Sequence, residues 1–100
     1  MDSANEVTIT GRISERDALR HTPAGIALVD FRIVHESGQI EAGATREVRA
    51  EVACLAVEEQ ARLLAAAPLG TAVKVTGFLA ARGRSGSRSL VLHVKRIEFE

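Results

Sequence analysis

The sequence predicts an all-β fold with one short helix, in which five antiparallel strands close into a barrel. Five stretches alternate apolar and polar residues with a period of two, as strands with one buried face do. A single stretch between the third and fourth of them consists of strong helix formers. Glycines stand in the apolar phase of the first and fourth strands, where a closing sheet has to bend. Because the chain has 100 residues, we expect one domain spanning residues 1–100.

The first two strands are predicted over residues 5–14 and 26–36, on either side of a turn. Pro23 and Gly25 of the segment HTPAG are residue types that turns favour. Gly11 stands in the apolar phase of the first strand. The residues predicted to face the core from these two strands are Val7, Ile9, Ile13, Val29, Phe31 and Ile33.

The third strand is predicted over residues 46–57, after a polar loop formed by SGQIEAGAT at 37–45. Its apolar phase holds Val48, Ala50, Val52 and Cys54, against Arg49 and Glu51 in the other phase. The segment that follows, 58–70, is rich in Ala, Leu, Glu, Gln and Arg and is predicted to be the helix. Pro68 and Gly70 are expected to terminate it.

The last two strands are predicted over residues 71–82 and 88–100. Their apolar phases hold Val73, Val75, Gly77 and Leu79 in the fourth strand and Leu90, Leu92 and Val94 in the fifth. Ile97 and Phe99 continue in the opposite phase, which predicts a β-bulge near Lys95. The order of elements, with the helix between strands 3 and 4, matches the oligonucleotide/oligosaccharide-binding (OB) barrel. An open sheet with a helix packed on it and an SH3-like barrel are the alternatives.

Residues that could carry enzyme or metal chemistry are few and scattered. Cys54 is the only cysteine, so no intrachain disulfide can form, and its apolar phase predicts a buried core residue. The three histidines, His21, His35 and His93, do not have the spacing of metal ligands. We therefore expect no metal, no cofactor and no enzymatic activity. No apolar run approaches the roughly 20 residues of a membrane span, and no apolar signal core is evident, so we expect a cytoplasmic protein.

Positive charge is concentrated near the C-terminal end, although the formal net charge is zero. No acidic residue occurs between Gln60 and Ile97, whereas seven basic residues do. Three of these seven lie in the RGRSGSR segment, residues 82–88, where Gly and Ser let the backbone flex while guanidinium groups follow phosphates. Phe78 is the one aromatic residue whose phase places it outside the barrel, where it could stack on a base or contact a partner chain.

Several segments resemble the bacterial single-stranded DNA-binding protein family, and within it the primosomal members. They are RHTPAGIALVDFRIVHES at 20–37, EAG at 41–43, VTGFLA at 75–80 and SLVLHVKRIE at 89–98. The resemblance covers residues from about 5 to 99. It implies a homodimer that binds single-stranded DNA, contacts the primosomal helicase PriA and other primosome proteins, and takes part in restarting stalled replication forks.

Carried over by position, the resemblance implies that Arg20, Arg82, Arg84 and Arg88 contact DNA. Where a stacking aromatic is expected on strand three, this sequence has Val48, Arg49 and Ala50. A guanidinium plane can also stack on a base, so Arg49 is a candidate substitute. The predicted DNA-binding residues are therefore Arg20, Arg49, Phe78, Arg82, Arg84 and Arg88. The alternative is a protein-interaction barrel with weak DNA binding, which the acidic stretch from Glu36 to Glu51 and the scarcity of aromatics favour.

Overall fold

The structure is a computed structural model that describes residues 3–83 and 89–100. Its elements in chain order are β1 (Val7–Arg16), β2 (Arg20–His21), β3 (Ala27–Glu41), β4 (Ala44–Val57), α1 (Glu59–Ala65), β5 (Ala72–Ala81) and β6 (Leu90–Phe99). The turn predicted at Pro23 and Gly25 follows β2, and Gly25 has a φ of 87° there. No helix in the described part of the chain is long and apolar enough to cross a membrane.

The long strands form a closed barrel in the order β1-β5-β6-β4-β3, which a second pairing of β1 with β3 completes. Neighbouring strands are antiparallel except β4 and β6, which pair in parallel over two residues of each. The two-residue β2 adds only an edge to β3, and the sequence did not predict it. Helix α1 therefore lies between β4 and β5, which is the predicted position after the third long strand. The predicted OB barrel is confirmed.

The core of the barrel is aliphatic. Its buried apolar residues are Ile13, Ala27, Val29, Phe31, Ile33, Cys54, Ala56, Ala61, Leu64, Ala67, Val73, Val75, Leu92, Val94 and Ile97. Burial raises the pKa of the Cys54 thiol from 9.0 to about 12, so the thiol stays neutral, as a small core residue would. Leu90 was predicted to face the core but is 56% exposed, because it pairs with Ala81 where the barrel ends.

The bulge predicted near Lys95 is present in the β5–β6 pairing. Thr76 pairs with Arg96, and the next residue of β5, Gly77, pairs with Val94, so Lys95 is the extra residue. At Gly77 the two backbones approach so closely that a Cβ atom would lie 1.8 Å from the carbonyl oxygen of His93. Only glycine fits there, which explains its place in the apolar phase of the strand.

The segment predicted to be a loop, 37–45, is instead the tip of a long arm made by β3 and β4. Both strands continue until only Ala42 and Gly43 remain for the turn. Their φ angles of 52° and 77° are typical of a two-residue hairpin turn. Beyond Val34, β3 pairs with β4 alone, so both faces of the arm lie outside the barrel. A strand without a buried face has no period-two apolar pattern, and the prediction of a loop was therefore wrong.

Helix α1 is shorter than predicted and packs against the barrel through Ala61 and Leu64. It begins after Glu58, whose φ of 53° is unusual for a residue with a side chain. The Glu58 carboxylate accepts a hydrogen bond from the backbone N–H of Ala27 at 2.9 Å, which ties the helix start to β3. The helix ends at Ala65, because the chain then turns back so that the N–H of Gly70 donates to β1.

Candidate nucleic-acid interface

A row of side chains crosses the outer surface of the barrel from β3 to β5. The register pairs Asp30 with Leu55, Leu55 with His93, and His93 with Phe78. Their strand neighbours on either side point into the core, so these four residues share the outer surface. We call the surface formed by β3, β4, β6 and β5 around this row the outer face. The positions of the predicted DNA-binding residues are described below relative to this face.

Phe78 stacks on His93 at the β5 end of the row. The ring centroids lie 5.0 Å apart and the planes differ by 10°, which is close to parallel stacking. Both side chains are half-buried, and with Lys95, Glu58 and Glu59 among others they line an open groove of about 460 Å³. We call this the aromatic groove. Stacking covers one face of each ring, and the groove beside the pair is lined by one cation and two carboxylates.

Arg82 lies at the end of β5, on the edge of the same face. Its backbone N–H donates to the carbonyl oxygen of Ser89 at 2.9 Å, which closes the base of the β5–β6 connection. The side chain lines a second groove of about 240 Å³, called here the arginine groove. The lining residues of the arginine groove are Glu15, Arg16, Asp17, Asp30, Phe31, Arg32, Ala53 and Arg82. Arg84 and Arg88 lie outside the described residues.

Arg20 reaches the outer face through Asp30. Its Nη2 lies 2.5 Å from the Oδ2 atom of Asp30, and the Arg20 side chain is 55% exposed. Asp30 stands at the start of the row and also lines the arginine groove. The structure therefore brings Arg20, Phe78 and Arg82 to one face, although they lie far apart in the sequence.

Arg49 is separate from this group. It stands on the β3–β4 arm, where it pairs in register with Glu36, and their side chains form an ion pair at 3.7 Å. Arg49 lies four positions along β4 from Ala53, the β4 residue that lines the arginine groove, and four positions span roughly 13 Å of a strand. Arg49 can therefore contact DNA only if the nucleic acid extends beyond the outer face and along the β3–β4 arm.

The basic residues of this region differ in whether they form ion pairs. Arg20 pairs with Asp30, and Arg32 lies 3.6 Å from Glu15. Four others form no ion pair with another described residue, namely Arg16, Arg82, Lys95 and Arg96. Exposed ion pairs contribute only about 0–1 kcal/mol, so a phosphate could replace a carboxylate at little cost. The balance leaves a positive excess at the β5–β6 end of the outer face.

Sequence analysis missed two features of this site. His93 was considered in the sequence only as a metal ligand and rejected, whereas it stacks on Phe78. The hairpin of β5 and β6 closes at Arg82 and Ser89. Counting four residues back from Arg82 and four forward from Ser89 places Phe78 opposite His93. The sequence alone does not give that register, because it depends on where the hairpin closes. Arg16 of the arginine groove was the second omission, and nothing in the local pattern singles it out.

The fold and the sequence both match known proteins that bind single strands. Residues 5–96 match the family model described as "Another single-strand binding protein family". The barrel superposes on the PriB protein from Ralstonia solanacearum with a TM-score of 0.86 and 26% identity, covering 98% of this chain and 99% of the other. The small single-stranded DNA-binding protein from Streptomyces coelicolor, at 18% identity and a TM-score of 0.74, shares the fold.

Two curated relatives carry the name Replication restart protein PriB. The protein from Bordetella pertussis is 40% identical over 92 residues, covering 92% of this chain and 85% of that protein. The protein from Nitrosomonas europaea is 38% identical over 91 residues, covering 91% of this chain and 83% of that protein. The chain belongs to the PriB replication restart proteins, within the single-strand binding protein family.

Proposed function

We propose that this protein binds single-stranded DNA across the outer face and acts as an accessory protein in the restart of stalled replication forks. The observation that carries the proposal is the stacked pair of Phe78 and His93 on the same face as Arg82 and Arg20. Non-specific binders of single strands combine an aromatic platform with a cationic path for the backbone. Membership of the PriB proteins supports the replication role.

In this proposal each part of the outer face has its own task. A base stacks on the Phe78–His93 pair, while Lys95 at the bulge meets a phosphate on the other side of the aromatic groove. The backbone then continues toward Arg82 and the arginines of the β5–β6 connection. No base edge is read by a dedicated hydrogen-bonding group in this arrangement, so binding is insensitive to sequence.

The direct test is fluorescence anisotropy with a labelled oligothymidylate of about 20 nucleotides, titrated at low and moderate salt. We expect saturable binding that weakens steeply with salt, because each neutralised phosphate of a single strand contributes about 0.7 to the logarithmic salt slope. Double-stranded DNA of the same sequence serves as the control and should bind less tightly. Absence of binding at low salt would reject the proposal.

Phe78→Leu should weaken binding of the oligonucleotide about 5- to 150-fold, because one stacked base contributes roughly 1–3 kcal/mol. The loss should be the same at both salt concentrations, since leucine changes no charge. The matched control is Phe99→Leu, which replaces an aromatic that is 44% exposed and pairs with Val73 at the far end of β6. Equal affinities of Phe78→Leu and the parent protein would show that the stacked pair is not the platform.

A second candidate function is a protein-interaction barrel with weak DNA binding, in which the PriA helicase is the main ligand. The β3–β4 arm favours it, because Arg46 and Arg49 are both neutralised there by glutamates and Ile40 is 72% exposed. Both functions can coexist, since the arm and the outer face are different surfaces. Association of the purified protein with PriA that persists after nuclease treatment would support this role, and association only through DNA would reject it.

We also propose that the protein is a cytoplasmic homodimer. The first half of β1 supports this, because Val7–Gly11 pair with β5 on one side while β3 pairs only with Arg12–Arg16. The unpaired side of Val7–Ile9 is a strand edge that can join a second copy, whereas the carbonyl oxygen of Thr10 lies 2.8 Å from His35 Nδ1. A molecular mass of one chain in sedimentation equilibrium at micromolar concentration would contradict the dimer.

A further inference from the structure

Arg16 carries a buried hydrogen-bond donor that has no partner. The residue ends β1, just beyond an irregularity in the β1–β3 register between Ile13 and Glu15. Its Nη1 atom is buried without a hydrogen bond, and it is the only such side-chain atom within residues 3–83 and 89–100. Buried polar groups are nearly always hydrogen-bonded, so this guanidinium indicates a group that the free protein lacks.

The arginine groove, which Arg16 lines, has a small excess of positive charge. Three arginines and three carboxylates line it. Glu15 lies 3.6 Å from Arg32, and Asp30 is paired with Arg20, which reaches it from outside the set of lining residues. With Arg20 counted, the groove holds one more positive charge than negative charges. An anion of one charge therefore suits it.

We propose that the arginine groove binds a phosphate group of a single-stranded nucleic acid. Arg16 makes the main contact with the phosphate, and Arg82 lies beside it. This inference rests on the proposed function and names the path that the backbone takes at one end of the outer face. Arginine suits the role because its planar guanidinium donates two parallel hydrogen bonds to phosphate oxygens. The phosphate belongs either to an internal diester or to the end of the strand.

Arg16 differs from the paired arginines in what binding costs. Arg20 and Arg32 must each give up a carboxylate neighbour to reach a phosphate. Arg16 makes no ion pair with any described residue, and its Nη1 has no hydrogen bond to lose. A small rotation of the side chain toward the groove therefore gains a hydrogen bond without breaking one. We expect Arg16 to be the first of these arginines to engage a phosphate.

Arg16→Met tests the site, because methionine keeps an unbranched side chain and removes every donor. With the labelled oligothymidylate we expect about tenfold weaker binding at low salt and a salt slope reduced by about 0.7. Arg62→Met, which removes an exposed arginine of α1, should leave both unchanged. The melting temperature of Arg16→Met should equal or exceed that of the parent protein, because a buried unpaired donor is removed.

Pyrophosphate, titrated into the ¹⁵N-labelled parent protein, gives a second readout that needs neither DNA nor a folded variant. We expect saturable NMR shifts of the backbone amides of Arg16, Asp17 and Arg32, and none in α1. Adding a 5′-phosphate to the oligonucleotide then distinguishes the two sources. Tighter binding that Arg16→Met abolishes assigns the site to a strand end, and unchanged binding assigns it to an internal diester.

The two proposals fail in different ways. Parent-like affinity and salt slope in Arg16→Met, together with no groove shifts on pyrophosphate addition, would reject the phosphate site and leave the proposed function intact. No oligonucleotide binding by the parent protein, with saturable groove shifts, would reject the proposed function and keep an anion site. If Arg16→Met unfolds, the pyrophosphate titration of the parent protein decides alone.

Discussion

A triple variant in which alanine replaces Arg82, Arg84 and Arg88 is expected to bind single-stranded DNA about 100-fold more weakly at low salt. Three fewer phosphate contacts should also lower the logarithmic salt slope by about 2, so the difference from the parent protein shrinks as salt rises. Arg82 stands at the end of β5 on the outer face, and Ser89 closes the base of the same connection. The measurement is the anisotropy titration, carried out at several salt concentrations.

The control for this variant is Arg62→Ala, which removes an arginine of α1. Arg62 is 57% exposed and pairs with Glu58, so its loss should change stability by a few tenths of a kcal/mol and DNA affinity not at all. If the triple variant bound as tightly as the parent protein, the β5–β6 connection would not be a DNA contact. Binding would then have to depend on Arg20, Lys95 and the aromatic groove.

Gly77→Ala is expected to lower the free energy of unfolding by about 3 kcal/mol or more. The added Cβ atom would lie 1.8 Å from the carbonyl oxygen of His93, 2.8 Å from its carbonyl carbon and 3.1 Å from the Cα atom of Val94. All three are backbone atoms, so the clash can be relieved only by separating β5 from β6 at the bulge. For a chain of this size the melting temperature should fall by about 15 °C.

Gly38→Ala is the matched control, since it makes the same substitution in the β3–β4 arm. The nearest atom to its added Cβ is the Cγ2 of Thr45 at 4.0 Å, which is ordinary contact. Its melting temperature, measured by circular dichroism, should stay within about 2 °C of the parent protein or rise slightly. A Gly77→Ala protein as stable as the Gly38→Ala protein would show that the bulge adapts to a methyl group.

The second consequence of Gly77→Ala is functional. Gly77 is the residue next to Phe78 in β5, and its clash is with the backbone of His93, so separating the strands there would misalign the stacked pair. Any fraction that remains folded should therefore bind the oligonucleotide more weakly than the parent protein. This links the stability of the β5–β6 hairpin to the geometry of the aromatic groove.

Strands with one buried face could be predicted from the sequence, whereas the tip of the β3–β4 arm, residues 37–45, could not. One face of β3 is buried in the core, so every second residue is apolar, as Val29, Phe31 and Ile33 are. This alternation is the pattern with a period of two that the sequence shows. Beyond Val34 the same strand lies outside the barrel, and no burial imposes the pattern. Its pairing with β4 is made by backbone hydrogen bonds, which do not require particular side chains. The pairing therefore produces no pattern that could be recognised in the sequence.

The sequence by itself determined the OB barrel, its aliphatic core, the bulge at Lys95 and the cluster of basic residues near the C-terminal end. These follow from burial and chain order, which act on residue type directly. Only the tertiary structure decided that Phe78 stacks on His93, that Asp30 neutralises Arg20 and that Arg49 stands apart on the arm. It also left one nitrogen of Arg16 buried without a partner. Such contacts join residues from different strands, so they depend on register and barrel closure, which no local pattern encodes.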